Sequence, residues 1–246
     1  MFNRADSLEE TIKSVLSQKY NNVEYIVIDG GSTDDTVEIL KRYNDSIAHW
    51  ISEPDKGIYD AMNKGIGLAK GDWINFMNCG DRFASPDVLN MFEYSYDTDI
   101  VYGNAMIEYH SFQVPWPNIP VDQMWKRTPF CHQACFVKAA VMKKYKFDLS
   151  FRLSSDFDFL YKAWLDGNKF AHVDRLICYY DNKEGASKKY ELRSFRERRR
   201  AVMTRPHTFG QWFYYVRTGL YLVTALTVKG ILGERLTTWI TRLLKG

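Results

Sequence analysis

The residues of this chain best suited to chemistry are acids at the ends of apolar runs, each with glycine, a base or an amide beside it. In Ile28-Asp29-Gly30-Gly31-Ser32-Thr33-Asp34-Asp35-Thr36, Asp29 closes an apolar run of strand length. A carboxylate at a strand end can accept the N–H of a nucleobase or a ribose hydroxyl. Glycines let a ligand approach the backbone, and Ser32 or Thr33 caps the helix that follows. An ordinary strand–turn–helix connection explains the same residues. A second stretch, residues 52–66, sets Asp55, Lys56 and Gly57 ahead of a helix. That mixture suits a diphosphate ester with Lys56 as counter-charge; a solvated loop is the alternative. In a third, Asn75-Phe76-Met77-Asn78-Cys79-Gly80-Asp81, Asp81 is a candidate ligand for a divalent cation. Asn78 would serve as a further oxygen ligand or a link through water. Oxygen donors and phosphates suit a hard ion, Mg²⁺ or Mn²⁺.

The elements that must carry these residues follow from periodicity. Strands are expected at 24–29, 47–51, 73–77 and 100–102, with helices at 33–43, 58–69 and from 86 to about 94. The first helix starts near Ser7, with Glu10 three residues on as a capping box. Strands alternating with helices argue for an α/β domain with a mostly parallel sheet covered on both faces, whose ligands sit beyond the carboxyl ends of the strands. Asp29 and Asp81 both stand at such ends. Residues 114–129 hold four prolines and two tryptophans and read as a surface loop. Residues 136–145 and 156–165 read as helices, and 170–180 as one or two strands.

The net charge of +3 conceals an asymmetry: from Lys188 onward there are 13 basic and three acidic residues, leaving 20 basic and 27 acidic in the first 187. A basic tail on an acidic body is expected to meet an anionic surface. Arg193, Arg196, Arg198, Arg199, Arg200 and Arg205 lead into Phe209, Trp212, Phe213, Tyr214 and Tyr215. Arg235, Trp239, Ile240, Arg242, Leu243, Leu244 and Lys245 repeat the pattern. The apolar stretch 220–228 lies between Arg217 and Lys229, which bracket only 11 residues, too few to cross a bilayer. Amphipathic helices on an anionic membrane fit this composition, with packing on the rest of the chain or on a dimer partner as the alternative. No nucleic-acid-binding module frames the basic stretch. The four cysteines form no CxxC pair and read as free thiols in a reducing cytoplasm, and no signal peptide is expected.

Taken in order, Phe2-Asn3-Arg4, residues 28–36, residues 53–66 and Asn78-Cys79-Gly80-Asp81 resemble the donor half of the family 2 glycosyltransferases, of GT-A fold. Phe130-Cys131-His132-Gln133-Ala134-Cys135-Phe136, then Phe147-Asp148, then Ser155-Asp156-Phe157-Asp158-Phe159 extend the resemblance over residues 2–180. It implies a catalytic domain at 1–187, its nucleotide-sugar half at 1–112 and acceptor half at 113–187, and a membrane-associating tail at 188–246. It assigns Asp29 to the uracil or ribose and Asp81 to the metal motif. Asp156 takes the place of the general base for an inverting displacement, and Asp158 ranks second; neighbouring acids can raise one another's pKa. His132 and Gln133 are candidates for the acceptor or the diphosphate.

Three departures bear on this. The strand that ordinarily precedes the Phe2-Asn3-Arg4 position has no counterpart, Gly30 stands where a second acid is common, and the metal motif is Asn-Cys-Gly-Asp. The Gln-x-x-Arg-Trp motif of processive synthases is absent, which favours addition of a single sugar. The resemblance implies a UDP-sugar donor, a divalent cation, and a lipid-linked saccharide acceptor at the inner face of a bacterial membrane. Two rivals are a sugar nucleotidyltransferase, for which the N-terminal Gly-rich loop with Arg and Lys is lacking, and a non-catalytic membrane-bound partner.

Overall fold

A computed structural model describes residues 1–93, 97–183 and 191–243, with side-chain surroundings for all of these except 91–93, 226 and 228–243. The chain divides into two compact units, Met1–Ala186 and Ser187–Gly246.

The first unit opens with α1 (Ala5–Leu16), which buries Leu8, Ile12 and Val15 along one stripe. This helix begins ahead of the expected Ser7–Glu10 box, which does not form. Instead the Ala5 N–H is taken by Asp34 Oδ2 at 3.1 Å. Next come β1 (Ile26–Asp29), α2 (Thr36–Arg42), β2 (His49–Ser52) and α3 (Ile58–Leu68). β1 and β2 pair in parallel with Asp29 opposite Ser52. Val27, Ile39, Leu40 and Ile47 close over Leu8 and Ile12 as one apolar cluster. The N-terminal residue lies along β1: the Met1 amino group donates to Ile28 O at 2.9 Å and Gly30 N donates to Met1 O at 2.7 Å.

A second sheet contains β3 (Trp73–Ile74), β4 (Arg82–Phe83), β5 (Ile100–Glu108), β6 (Gln113–Pro115), β7 (Cys135–Lys138) and β8 (Phe170–Asp181). Its order is β3-β7-β5-β8-β4, with β6 also on β5. Here the expected pairing is corrected. β5 and β8 run parallel, but β3–β7, β4–β8, β5–β6 and β5–β7 are antiparallel. The α/β class stands with mixed pairing, because short returning segments need no crossover helix. The expected strand over 73–77 stops at Ile74, the helix over 33–43 starts at Thr36, and the segment after Pro86 is a 3₁₀ helix, Val88–Glu93. The expected helix over 136–145 is strand β7 followed by α4 (Ala139–Tyr145). The expected helix over 156–165 is α5 (Ser155–Leu165).

The second unit contains α6 (Glu191–Met203) and α7 (Phe209–Leu243). Phe195 packs on Tyr215 with ring centroids 5.6 Å apart, while Phe209, Phe213, Leu220, Tyr221 and Val223 are exposed. Among the described residues no helix is long and apolar enough to cross a membrane. Of the expected tail contacts, Lys188, Leu244 and Lys245 lie outside the described residues. So do the side chains of Arg235, Trp239, Ile240, Arg242 and Leu243.

Candidate active site

The motif residues near the N-terminus converge because the turn after β1 is stitched to the first residues of the chain. Asn3 N donates to Ser32 Oγ at 2.8 Å, Thr33 N to Asn3 Oδ1 at 2.8 Å, and Arg4 N to Thr36 Oγ1 at 3.2 Å. Asp29 organises the centre of this turn. It is fully buried; its Oδ2 accepts Ser32 N at 2.9 Å and Ser52 Oγ at 2.7 Å, and its Oδ1 accepts Ser32 Oγ. Burial pushes its pKa up, but the hydrogen bonds from Ser32 and Ser52 outweigh that and hold it below the usual carboxylate value. Asp29 is therefore an ionised turn-builder whose oxygens face the protein.

Asp55 reaches back to the same turn. A Cβ on Gly30 would run into the Asp55 carboxylate. Gly30 thus lets an acid from the second motif stand where its own side chain would be. Asp55 Oδ1 accepts Gly57 N at 2.7 Å, and Lys56 N donates to Asp60 Oδ2 at 3.0 Å, which shapes the loop ahead of α3. Gly57, the N-cap of α3, has φ 118°, a conformation that favours glycine. Lys56 lines a shallow groove with Gly57, Tyr59, Asp60, Leu149 and Arg152. Sequence reasoning missed Arg152, because its partner on the other wall is 96 residues away.

The Asn78-Cys79-Gly80-Asp81 loop is held from α1: Gly80 N donates to Thr11 Oγ1 at 2.9 Å, and Thr11 Oγ1 donates to Asp81 O at 2.8 Å. Asp81 itself points inward and is 3% exposed. Its Oδ1 accepts Asp181 N at 2.8 Å and its Oδ2 accepts Gln133 Nε2 at 2.7 Å. Burial raises its pKa to about 7, against those two hydrogen bonds. Each oxygen of this carboxylate already accepts one hydrogen bond from the protein, and no group of three or more His, Cys, Asp or Glu suited to a metal occurs among the described residues. Asp81, the residue expected at the metal, acts here as a latch between the third motif, Gln133 and the end of β8. Gly80 has φ 98°, and a Cβ there would meet Asp181 Oδ2 at 2.6 Å and Arg4 Nη2 at 3.0 Å. Arg4 and Asp181 are ion-paired at 3.2 Å.

Gln133 also turns inward. It is 1% exposed, with Nε2 on Asp81 and Oε1 accepting Cys131 Sγ at 2.9 Å, so its amide faces the core. Asp158 is also 1% exposed, and its Oδ2 lies 2.7 Å from Lys162 Nζ. It pairs with Lys162 one turn along α5.

Asp156 is different. It sits in the first turn of α5 with its side chain 18% exposed, in a cleft lined by Phe76, His132, Phe147 and Phe159. Tyr59 Oη donates to its Oδ1 at 2.9 Å. His132 Nδ1 lies 3.6 Å from its Oδ2, and His132 Nε2 lies 3.2 Å from Asn78 Nδ2. Burial pushes the imidazole below its ordinary value, opposed by the Asp156 carboxylate. The segment leading to α5 is fixed by two hydrogen bonds, Asn63 Nδ2 to Phe147 O at 2.8 Å and Phe147 N to Asn63 Oδ1 at 2.9 Å. The structure therefore gathers Asn78, His132 and Asp156, and separately Asp55 with Lys56.

Comparison with known proteins places this site in context. The family description "Glycosyl transferase family 2" matches residues 1–149. The chain belongs to the family 2 glycosyltransferases. An uncharacterized glycosyltransferase of Mycobacterium tuberculosis is 32% identical to it over 225 residues, 85% of this chain and 83% of the relative. WfaP of Escherichia coli, a UDP-Glc:α-D-GlcNAc-diphosphoundecaprenol β-1,3-glucosyltransferase, is 33% identical over 143 residues, 54% of this chain and 55% of that one. Among solved structures, Staphylococcus aureus TarS 1–349 in complex with UDP-GlcNAc superposes with a TM-score of 0.67 at 17% identity, covering 89% of this chain and 69% of that one. That likeness is one of fold, and the fold of this glycosyltransferase is of the GT-A kind. It is a transferase, and its sequence motifs fall on the turns after β1 and before α3 and on the first turn of α5.

Proposed function

We propose that this glycosyltransferase moves one sugar, with inversion, from a UDP-sugar to a lipid-linked saccharide in the assembly of a bacterial surface polysaccharide. The observation that carries the reading is the contrast among its aspartates. Asp29, Asp81 and Asp158 are buried and hydrogen-bonded or ion-paired inward, whereas Asp156 opens on a cleft. Asp156 removes the proton of the acceptor hydroxyl as that oxygen bonds to the anomeric carbon. The bond from that carbon to the diphosphate breaks, and the nucleoside diphosphate leaves. Lys56 and Arg152 face the diphosphate across the groove they share; Asp55, beside Gly30, reads the nucleoside, and Asp29 holds the turn for it. Asn78 forms the floor, and His132 stands between it and Asp156.

The donor class is supported by the UDP-glucose in the name of WfaP and the UDP-GlcNAc bound to TarS, and the lipid-linked acceptor by the diphosphoundecaprenol in the name of WfaP. Peripheral attachment to the inner membrane face is supported by the exposed aromatic side chains of α7 and by exposed Arg193, Arg196, Arg199 and Arg200 on α6. Mn²⁺ or Mg²⁺, if used, arrives with the diphosphate rather than on Asp81.

The test is release of nucleoside diphosphate from a panel of UDP-sugars and GDP-mannose, with a GlcNAc-diphospholipid or a free sugar as acceptor, in Mn²⁺, Mg²⁺ or EDTA. Turnover of a UDP-sugar with the lipid-linked acceptor, lost in Asp156→Asn while donor binding persists, is expected. Full turnover in Asp156→Asn sinks the base assignment. Equal turnover on the free sugar, with no flotation on anionic vesicles, sinks the lipid-linked part.

A further inference from the structure

Asp156 lies on α5, in the half of the domain assigned to the acceptor, yet both residues that flank its oxygens lead back to the donor half. Tyr59 belongs to the first turn of α3, two residues beyond Gly57 of the donor loop. It is 8% exposed, with its ring against Phe147 at a centroid distance of 5.4 Å. A buried phenol needs a partner, and Asp156 Oδ1 provides it at 2.9 Å, across 97 positions of sequence. Burial and the neighbouring carboxylate both push the Tyr59 pKa well above its ordinary value, so the hydroxyl stays a donor. On the other side, His132 joins Asp156 to Asn78 of the third motif. With the amide nitrogen of Asn78 on Nε2, that ring nitrogen accepts, and the remaining N–H, on Nδ1, faces Asp156. Its 3.6 Å separation is just outside hydrogen-bond length, a spacing that catalytic contacts often close when substrate binds.

We propose that Tyr59 and His132 are positioning residues for Asp156, and that the chain Asn78–His132–Asp156–Tyr59 sets the base relative to the donor floor. The inference rests on the reading of Asp156 as the base. A carboxylate gripped at one oxygen by a phenol and approached at the other by an imidazole has one orientation instead of several. The proton it receives is then delivered to a fixed place. Because Tyr59 and Asn78 both sit in the donor half, the distance from base to anomeric carbon is set by the elements that hold the donor. Neither residue needs to touch the sugar being transferred.

Tyr59→Phe keeps the ring against Phe147 and removes only the donor to Asp156. It is expected to lower kcat about 10- to 100-fold, as misplacement of a catalytic group does, with donor affinity by calorimetry and the thermal midpoint little changed. His132→Leu should lower kcat similarly, and His132→Gln, whose amide can still donate, should recover a large part of the loss. Since both residues act on one carboxylate, the Tyr59→Phe/His132→Leu double variant should fall short of the product of the two single effects. Wild-type kcat in Tyr59→Phe, a multiplicative double variant, or a loss confined to donor affinity would overturn the proposal. If Asp156→Asn itself retains wild-type kcat, the base reading has failed. If Asp156→Asn is inactive while Tyr59→Phe is not impaired, the positioning role alone has failed.

Discussion

The carboxylate of Asp81 accepts the backbone N–H of Asp181 at 2.8 Å, a bond that spans 100 positions of sequence. With Gln133 on its other oxygen at 2.7 Å, Asp81 ties the loop of the third motif to the end of β8 and to the segment ahead of β7. Because β4 and β8 are antiparallel with Arg82 opposite Tyr179, the residue before Arg82 arrives where the end of β8 needs an acceptor. An acid in this motif thus supports the site from beneath.

Its titration gives the first prediction. Burial raises the Asp81 pKa from 3.8 to about 7 in the folded chain. Between those values the folded state holds a proton that the unfolded state has released, so stability falls as pH rises through the window. The loss is on the order of 2–4 kcal/mol over about three pH units. Urea midpoints measured from about pH 4 to pH 7.5 should decline in the wild type and be much flatter in Asp81→Asn. An equally steep decline in the variant would assign the slope to another group. Any response of transfer to Mn²⁺ should also survive in Asp81→Asn, whereas its loss would return Asp81 to the metal.

Gly30 leads to a second. A methyl group there collides with the Asp55 carboxylate and drives it from the turn that Asp29 organises. Gly30→Ala should weaken UDP binding about tenfold, roughly 1.4 kcal/mol, with a stability change of about 1 kcal/mol or less. Calorimetry with UDP beside a urea melt separates the two. Undiminished affinity would mean that Asp55 takes no part in holding the nucleotide.

Much of the frame was legible along the chain, because strand β1 is an unbroken apolar run and helices α3 and α5 lie between clear stops. The direction of pairing was not. Phe136 and Val137 lie in an apolar run continuous with α4, and nothing in composition marks Lys138, at φ −52° and ψ 133°, as the point where strand becomes helix. Within the site, the motifs located the right loops but not the orientation of their side chains. Asp156 and Asp158 are chemically equivalent two positions apart; a helix sends them about 200° around its axis, one to the cleft and one to Lys162. Asp81 and Gln133 turn inward to each other across 52 positions, a pairing visible only in three dimensions. Tyr59 carried no signal, since a tyrosine beside Ile58 at the start of a helix reads as core.

A third prediction concerns the ion pair between Arg82 of β4 and Glu108 of β5. The Arg82 guanidinium makes a two-pronged contact with Glu108, which is 7% exposed, and lies over the Tyr179 ring at 4.4 Å. Arg82 holds the Glu108 pKa below its usual value, so this contribution is present above the ordinary carboxylate range and is lost as pH falls through the lowered value. Arg82→Met leaves a buried carboxylate without its cation and should cost about 3 kcal/mol, while Arg82→Met/Glu108→Met should cost clearly less. Urea melts of the three proteins decide it; a double variant as unstable as the single would show that packing, not charge, is what Arg82 supplies.

The last prediction separates the groove of Lys56 and Arg152 from the turn of Asp55. Both cations line one shallow groove, and the Arg152 guanidinium lies 3.5 Å from Lys56 O, so the two are placed to meet one charged group. A charge-assisted hydrogen bond to phosphate is worth about 1.5–3 kcal/mol, so Lys56→Met and Arg152→Met should each weaken UDP binding by about tenfold or more. Uridine, which has no diphosphate, should bind all three proteins alike. The advantage of UDP over uridine should also shrink with added salt, because exposed charges are screened over about 10 Å at 0.1 M. Calorimetric titrations with UDP and uridine at two ionic strengths measure this directly. If both ligands lose affinity equally, Lys56 and Arg152 read the nucleoside, and the diphosphate lies outside their groove.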